Sequence, residues 1–182
     1  MTGKHAGHAY IRNNGEMKAN QYELNGTTIY GGQTPLTTEE TSIAEILKAE
    51  GYATGCFGKC GLGAAGTTGD PLKKGFDRFY GYNCQRHAHN LYPKYLDRDG
   101  KPEFLEGNTR GLTGKKYAPQ LIADEMLKFV EENHSKPFFV YYATVIPHLA
   151  VDCKLKCPVW KSSAPCQNEP FFNSLQTRIG AS

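Results

Sequence analysis

A lysine and a histidine that could bind an anion and move a proton each follow a short apolar segment. Lys59 comes after residues 52–57, and His148 comes after residues 137–145. A lysine ammonium is a compact positive charge, and a histidine changes its charge near neutral pH. Ligands of α/β proteins gather where the strands of a parallel sheet end. If both segments are strands of one such sheet, Lys59 and His148 should converge on one cleft.

The first of these segments is preceded by a helical pattern. Thr37 and Glu40 have the spacing of a capping box. Apolar residues then recur with a helical period, and Gly51 suits the position after the last turn. These signals predict a helix over residues 38–50 that leads into a buried strand over residues 53–57.

A second helix and strand follow later in the chain. Pro119 fits the first turn of a helix over residues 118–133. The backbone N–H groups of a first turn form no hydrogen bonds within the helix, so the N–H that proline lacks is not needed there. Residues 137–145 are almost all aromatic or β-branched, which is typical of a strand covered on both faces. Between the two pairs, residues 58–116 are rich in turn-forming residues and are predicted to be a long loop-rich excursion. The order helix–strand–helix–strand predicts an α/β fold with a mostly parallel sheet flanked by helices.

Composition narrows the choice of partners. The chain has 182 residues with 21 Lys and Arg against 18 Asp and Glu, and no long basic run, so neither nucleic acid nor a membrane surface is an expected partner. No apolar run is long enough to span a bilayer. The residues after Met1 do not form a signal peptide, so the localisation stays open. The six cysteines match no zinc-binding spacing, and we predict scattered free thiols, with room for one disulfide among the cysteines after residue 150, and no metal site in this chain.

Five segments resemble, in order, the motifs of one enzyme family. Residues 51–63 read G-Y-A-T-G-C-F-G-K-C-G-L-G, which resembles G-Y-x-T-x-x-x-G-K-W-[HG]-L-G, and residues 75–81 resemble G-F-D-x-F-x-G. The segments 1–8, 85–90 and 137–148 resemble further blocks of the same family. That family is the sulfatases of the alkaline phosphatase superfamily, in particular arylsulfatases and N-acetylgalactosamine-6-sulfatases.

The resemblance implies both a fold and a reaction. Residues 1–150 are expected to be part of a sulfatase catalytic domain, an incomplete alkaline-phosphatase-like sandwich, and residues 151–182 an unrelated or disordered tail. The implied activity is hydrolysis of a sulfate ester, and the implied partner is a sulfated small molecule or sulfated sugar. Family members are often exported.

The resemblance also assigns roles to single residues. Lys59 falls on the lysine that contacts the sulfate and the nucleophile, and His148 falls on the histidine that binds sulfate and protonates the leaving oxygen. Many members carry a histidine where Gly61 stands here, so His87 or His89 is expected to take over its part in substrate binding. The alternative for these two is a hydrogen-bonded loop histidine.

The sequence departs from the family pattern at the catalytic centre. The family's nucleophile is a formylglycine made from the cysteine of a C-x-P-S-R segment, and no such segment occurs in the 182 residues. The Asp-Asp and Asp-Asn pairs that bind calcium in the family are also absent from the sequence, and Cys60 stands where a tryptophan is usual. We therefore expect a sulfatase fragment that is inactive by itself.

Two other functions remain open from the sequence. A phosphoester or phosphonate hydrolase of the same superfamily would share the fold. A non-catalytic metal-binding module could use His87, His89 and the cysteines after residue 150. Such a module would need a full set of ligands in tetrahedral geometry if it held zinc.

Overall fold

The computed structural model describes residues 1–110 and 113–146, all within one compact unit. Two α-helices and seven strands make up its regular structure. In chain order they are β1 (Tyr22–Leu24), β2 (Thr27–Ile29), α1 (Ile43–Ala49), β3 (Ala53–Lys59), β4 (Arg78–Tyr82), β5 (Tyr95–Arg98), β6 (Lys101–Phe104), α2 (Ala118–Asn133) and β7 (Phe138–Ala143). Neither helix is long and apolar enough to cross a membrane.

Five of the strands form one mixed sheet with the order β6-β5-β4-β3-β7. The central strand β3 pairs in parallel with β4 on one side and with β7 on the other. The strands β5 and β6 extend the sheet in antiparallel fashion beyond β4. The predicted parallel pairing of the first and last apolar segments is confirmed, and so is the α/β class.

The sheet separates two hydrophobic cores because alternate residues of a strand point to opposite faces. On one face, Phe57 and Tyr80 pack with Ile122 and Phe129 of α2. The opposite face carries Cys56, Phe76 and Phe79 together with Ala44 of α1. The residues of β7 contact both cores alternately but stay half-buried, because β7 is the outer strand within the described part of the sheet.

The helix α1 begins later than the sequence predicts. Its capping box is formed by Ser42 and Glu45, whereas the predicted box at Thr37 and Glu40 lies in a turn. Both pairs have the same spacing, and a tertiary contact distinguishes them. The hydroxyl of Ser42 donates to the carbonyl oxygen of Lys74 at 2.7 Å, and this contact fixes the start of the helix.

The side of α1 that packs against the sheet also differs from the prediction. Ile43 and Ile46 belong to the apolar pattern that predicts this helix, but they are 44% and 56% exposed. The small residue Ala44 is buried instead and packs against the sheet. A helix that packs through a small residue can lie closer to the sheet than one that packs through isoleucines.

The predicted loop-rich excursion over residues 58–116 contains three strands, β4 to β6, so this prediction is wrong in part. The strands are only four or five residues long, which hides their alternating pattern. Asp99 and Gly100 form the two-residue turn between β5 and β6, with φ of +51° and +84°. An Asp-Gly pair with both φ positive is a frequent hairpin turn. This pair is a local signal for a hairpin, but the segment as a whole is so rich in turn-forming residues that it resembles a loop.

Candidate functional site

Lys59 lies where three strands end side by side. It is the last residue of β3 and pairs with Tyr82, the last residue of β4. The preceding Gly58 pairs with Gly81 of β4 and with Ala143 of β7. A Cβ atom at Gly58 would lie 2.1 Å from the carbonyl oxygen of Ala143, so a glycine is required for the backbones to approach this closely. The Gly-Lys pair of the motif thus places the lysine at the carboxyl edge of the sheet.

The side chain of Lys59 is half-buried without a counter-ion. Among residues 1–110 and 113–146, no carboxylate lies within ion-pair distance of its ammonium group, and no hydrogen bond to it is formed. By contrast, the fully buried Lys74 donates to the carbonyl oxygen of Glu40 at 2.9 Å and lies 3.8 Å from the carboxylate of Glu45. The ammonium of Lys59 is therefore available to an anion from outside the described residues.

The turn after Lys59 contacts the second sequence motif. The backbone N–H of Cys60 donates to the carbonyl oxygen of Tyr82 at 3.2 Å, which continues the strand pairing by one residue. Gly61 then turns the chain with φ of +72°. A Cβ atom at this glycine would lie 2.9 Å from Nε2, the side-chain amide nitrogen of Gln85. The turn after Lys59 and the first residue of the block 85–90 are therefore in contact.

His87 is buried in an aromatic cage. Its ring stacks on Tyr30 with 5.0 Å between centroids, meets the edge of Tyr82 at 5.1 Å, and lies 4.3 Å from Tyr95. Burial, together with the charge of Arg110, lowers the pKa of His87 to about 3, so the ring is neutral at physiological pH. These contacts give His87 a packing function, and its role in substrate binding stays a prediction.

The other two histidines predicted for the site are His89 and His148. His89 ends the short 3-10 turn His87–His89 and is half-buried, and its role in substrate binding also stays a prediction. His148 lies outside the described residues. The convergence of Lys59 and His148 on one cleft therefore stays a prediction.

Two arginines that the sequence reasoning missed meet at one aromatic ring. The Cζ atoms of Arg86 and Arg110 lie 5.5 and 5.6 Å from the centroid of the Tyr30 ring. Arg86 belongs to the block 85–90 and directly precedes His87. Its positive charge within a family motif is a sequence signal for an anion-binding residue. No local pattern connects Arg110 with Tyr30.

The cysteine that replaces the usual tryptophan is a core residue. Cys60 is buried with Cys56, Leu62 and Phe79 on the face of the sheet that α1 covers. Burial and the neighbouring thiol of Cys60 raise the pKa of Cys56, which keeps that thiol protonated. All three cysteines in the described residues are free and buried.

The side chains in residues 1–110 and 113–146 do not fit a calcium or zinc site. No three His, Cys, Asp or Glu side chains in these ranges are grouped closely enough to hold a metal ion. Calcium requires six to eight oxygen ligands. We therefore derive no step through a metal from this part of the chain.

Comparison with known sequences identifies the family. A sequence model of the sulfatases matches residues 12–179 of this chain. The chain belongs to the sulfatase family. This match continues past residue 150, and the division at that residue stays a prediction.

Two curated sulfatases show how much of a whole enzyme the chain represents. An arylsulfatase of Hemicentrotus pulcherrimus is 34% identical over 137 residues, which cover 65% of this chain and 24% of that protein. An N-acetylgalactosamine-6-sulfatase of Sus scrofa is 33% identical over 121 residues, covering 62% of this chain and 23% of that protein. The sulfatase chain thus spans about a quarter of the length of these relatives.

The fold agrees with solved structures of similar proteins. The structure of Ps i-CgsB in complex with k-i-k-neocarrahexaose superposes with a TM-score of 0.52 and 23% identity, covering 71% of this chain and 32% of that one. A second structure of Ps i-CgsB has a TM-score of 0.50, also at 23% identity. The described sheet and helices are thus part of the larger fold seen in these proteins.

Proposed function

We propose that Lys59 binds the sulfate group of a sulfate ester, and that this chain is part of a sulfatase catalytic domain. Hydrolysis of sulfate esters is the reaction of the family to which the chain belongs. The observation that supports the role of Lys59 is its place as a half-buried residue at the edge where β3 and β4 end, with no counter-ion for its ammonium group in the described residues.

The ammonium group of Lys59 is suited to bind an anion. A partly desolvated cation has lost some hydration, and an anionic ligand offsets that loss. The ammonium group can donate three hydrogen bonds, and charge-assisted bonds of this kind are stronger than neutral ones. Because the surrounding protein is less polarisable than water, the attraction between Lys59 and a sulfate oxygen is also greater than at a fully exposed site.

The other parts of the catalytic site are proposed to come from outside the described residues. His148 would donate a proton to the leaving oxygen, as the resemblance implies. The nucleophile would be a formylglycine from a C-x-P-S-R segment, which these 182 residues do not contain, and calcium would be held by ligands that they also lack. We accordingly propose that the chain is inactive by itself.

A sulfated sugar is the substrate class that we propose. The Sus scrofa relative is named an N-acetylgalactosamine-6-sulfatase, and a second relative, from Formosa agariphila, is named an ulvan-active sulfatase. Both names point to saccharides. The uncompensated charge of Lys59 suits the sulfate group that such sugars carry.

A hydrolysis assay on two proteins tests the proposal. The 182-residue chain and an extended protein that adds a C-x-P-S-R segment and a late Asp-Asn segment are given 4-nitrophenyl sulfate and 4-nitrophenyl phosphate, with and without calcium. We expect turnover of the sulfate by the extended protein only. Preferential turnover of the phosphate would favour a phosphoester hydrolase, and turnover by the short chain would contradict the proposal that it is inactive.

A further inference from the structure

The ring of Tyr30 is held in place from several sides. The ring stacks on the buried ring of His87, and the backbone N–H of Tyr30 donates to the hydroxyl of Tyr95 at 2.8 Å. Tyr30 itself is buried, although it follows the short hairpin of β1 and β2 near the protein surface. The ring is therefore a fixed platform for the groups that cover it.

Two guanidinium groups cover that platform. Arg86 and Arg110 both place Cζ within 5.6 Å of the Tyr30 centroid, a distance at which a cation is attracted by the ring. The side chain of Arg86 is 55% exposed, and Arg110 is exposed as well. Both arginines thus contact the same ring while their side chains remain open to solvent.

The charge of this arginine pair is not balanced by the described residues. One carboxylate, that of Glu16, approaches Arg86 at 3.7 Å, and the same carboxylate accepts a weak hydrogen bond from the thiol of Cys84. Arg110 has no ion pair among residues 1–110 and 113–146. Two like charges at one ring repel each other, and a bound anion would relieve that repulsion.

The backbone of Arg110 is held in an uncommon conformation. Its φ is +65°, in the left-handed region that bulky residues rarely adopt. The buried side-chain amide of Asn90 donates to the carbonyl oxygen of Arg110 at 3.0 Å and fixes it there. Asn90 belongs to the same block, 85–90, as Arg86, so one segment positions both arginines.

We propose that Arg86 and Arg110 form a second anion-binding subsite, which takes a sulfate or carboxylate group on a sugar ring next to the ester bound by Lys59. The planar guanidinium group suits such anions because it can donate two parallel hydrogen bonds. Gln85, which precedes Arg86, lies against Gly61 in the turn that follows Lys59, so the segment that carries Arg86 contacts the segment that carries Lys59. As a subsite of the substrate, the pair rests on the proposed function of Lys59.

Binding measurements by NMR with the 182-residue chain test this subsite. The probes are N-acetylgalactosamine 6-sulfate, with one anion; a sulfated neocarratetraose, with sulfates on more than one ring; and an unsulfated chondroitin tetrasaccharide, with carboxylates alone. The chain should bind the sulfated tetrasaccharide about tenfold more tightly than the monosaccharide, as one further charge-assisted contact predicts. The double variant R86Q/R110Q should lose this gain and bind the monosaccharide unchanged.

Matched variants distinguish the effect of the arginine charge on binding from the effects of guanidinium geometry and of misfolding. R86K/R110K keeps the charge and should retain part of the gain. Arg78→Gln removes an arginine that also lies over an aromatic ring, that of Phe129, but at the start of β4, and it should change nothing. Each variant should retain the dispersion of the wild-type NMR spectrum.

The outcomes distinguish the two proposals. If R86Q/R110Q binds both tetrasaccharides as the wild type does, the subsite is wrong, whatever Lys59 does. If Lys59→Ala leaves monosaccharide binding intact while R86Q/R110Q loses the gain, the arginine pair binds anions and the role of Lys59 is wrong. Loss of chondroitin binding in R86Q/R110Q assigns the subsite to carboxylates, and loss confined to the neocarratetraose assigns it to sulfates.

Discussion

Thr54 and Asp77 bind each other at the start of β3 and β4. The carboxylate of Asp77 accepts a hydrogen bond from the backbone N–H of Thr54 at 2.9 Å, and the hydroxyl oxygen of Thr54 accepts one from the backbone N–H of Asp77 at 3.0 Å. The same hydroxyl donates to the carbonyl oxygen of Gly75 at 2.6 Å. The threonine of the first motif and the aspartate of the G-F-D element are therefore structural partners, far from Lys59 along the strand.

Removing the hydroxyl of Thr54 should destabilise the sheet. Thr54→Val keeps the shape but leaves the N–H of Asp77 and the carbonyl of Gly75 with weaker hydrogen bonding inside the protein. We expect the free energy of unfolding in urea to fall by about 1–3 kcal/mol. Thr28→Val, which removes an exposed hydroxyl bonded to Glu23, is the control and should cost less than about 0.5 kcal/mol.

The corrected start of α1 can be tested with one pair of variants. Ser42→Ala removes the capping bond to the N–H of Glu45 and the bond to Lys74, and it should lower the free energy of unfolding by about 1–2 kcal/mol. Thr37→Ala, at the cap that the sequence predicted, should have a much smaller effect. An equal loss in both variants would contradict the assignment of Ser42 as the cap.

The buried ring of His87 should make stability depend on pH. Because its pKa is lowered to about 3, an unfolded chain takes up a proton at this residue well before the folded protein does. The stabilisation from the neutral ring is complete above about pH 6.5, the ordinary value for histidine, and is lost progressively as the pH falls toward 3.

Urea unfolding at pH 7.5 and pH 5 provides the measurement. His87→Phe keeps an aromatic ring among Tyr30, Tyr82 and Tyr95 but cannot take up a proton. The variant should lose less stability between the two pH values than the wild type does. An NMR titration that showed His87 protonating near pH 6.5 would contradict the prediction.

Lys59 is predicted to matter for activity but little for folding. In the extended, active protein, Lys59→Ala should lower the turnover of 4-nitrophenyl sulfate by about 100- to 1,000-fold, as expected when one charge that stabilises the reacting group is lost. Lys115→Ala, in an exposed segment, is the control and should retain activity. Because Lys59 has no ion pair in the described residues, its removal should not lower the unfolding midpoint. A marked drop would instead indicate a structural role.

Local signals were sufficient for one helix and ambiguous for the other. The helix α2 was predicted over 118–133 and is observed there, because Pro119 marks its start and its apolar residues keep a regular period. For α1, the box at Thr37 and Glu40 was predicted, whereas Ser42 and Glu45, which have the same spacing, form the observed cap. The bond between Ser42 and Lys74, 32 residues apart, selects one of them, and no local pattern records such a contact.

Only part of the candidate site could be predicted from the sequence, because some of its contacts also join residues that are far apart in the chain. Lys59 could be placed at a strand end, because the apolar run of β3 and the Gly-Lys pair that ends it are visible in the local sequence. The arginine pair could not, since Tyr30, Arg86 and Arg110 come together only when the sheet and the block 85–90 have folded. The surroundings of His87 depend on three tyrosines from separate segments, so its burial could not be read from the motif that contains it.

The pairing of β3 with β7 has a consequence for how the chain folds. This contact joins Ala53 to Phe138, while the parallel partner on the other side, β4, begins at residue 78. Closing a longer segment costs more entropy and delays non-local pairing. During synthesis β3 can pair with β4 well before β7 has left the ribosome, so folding should proceed from the β3–β4 pair outward. Substitutions in β7 should then speed unfolding more than they slow refolding.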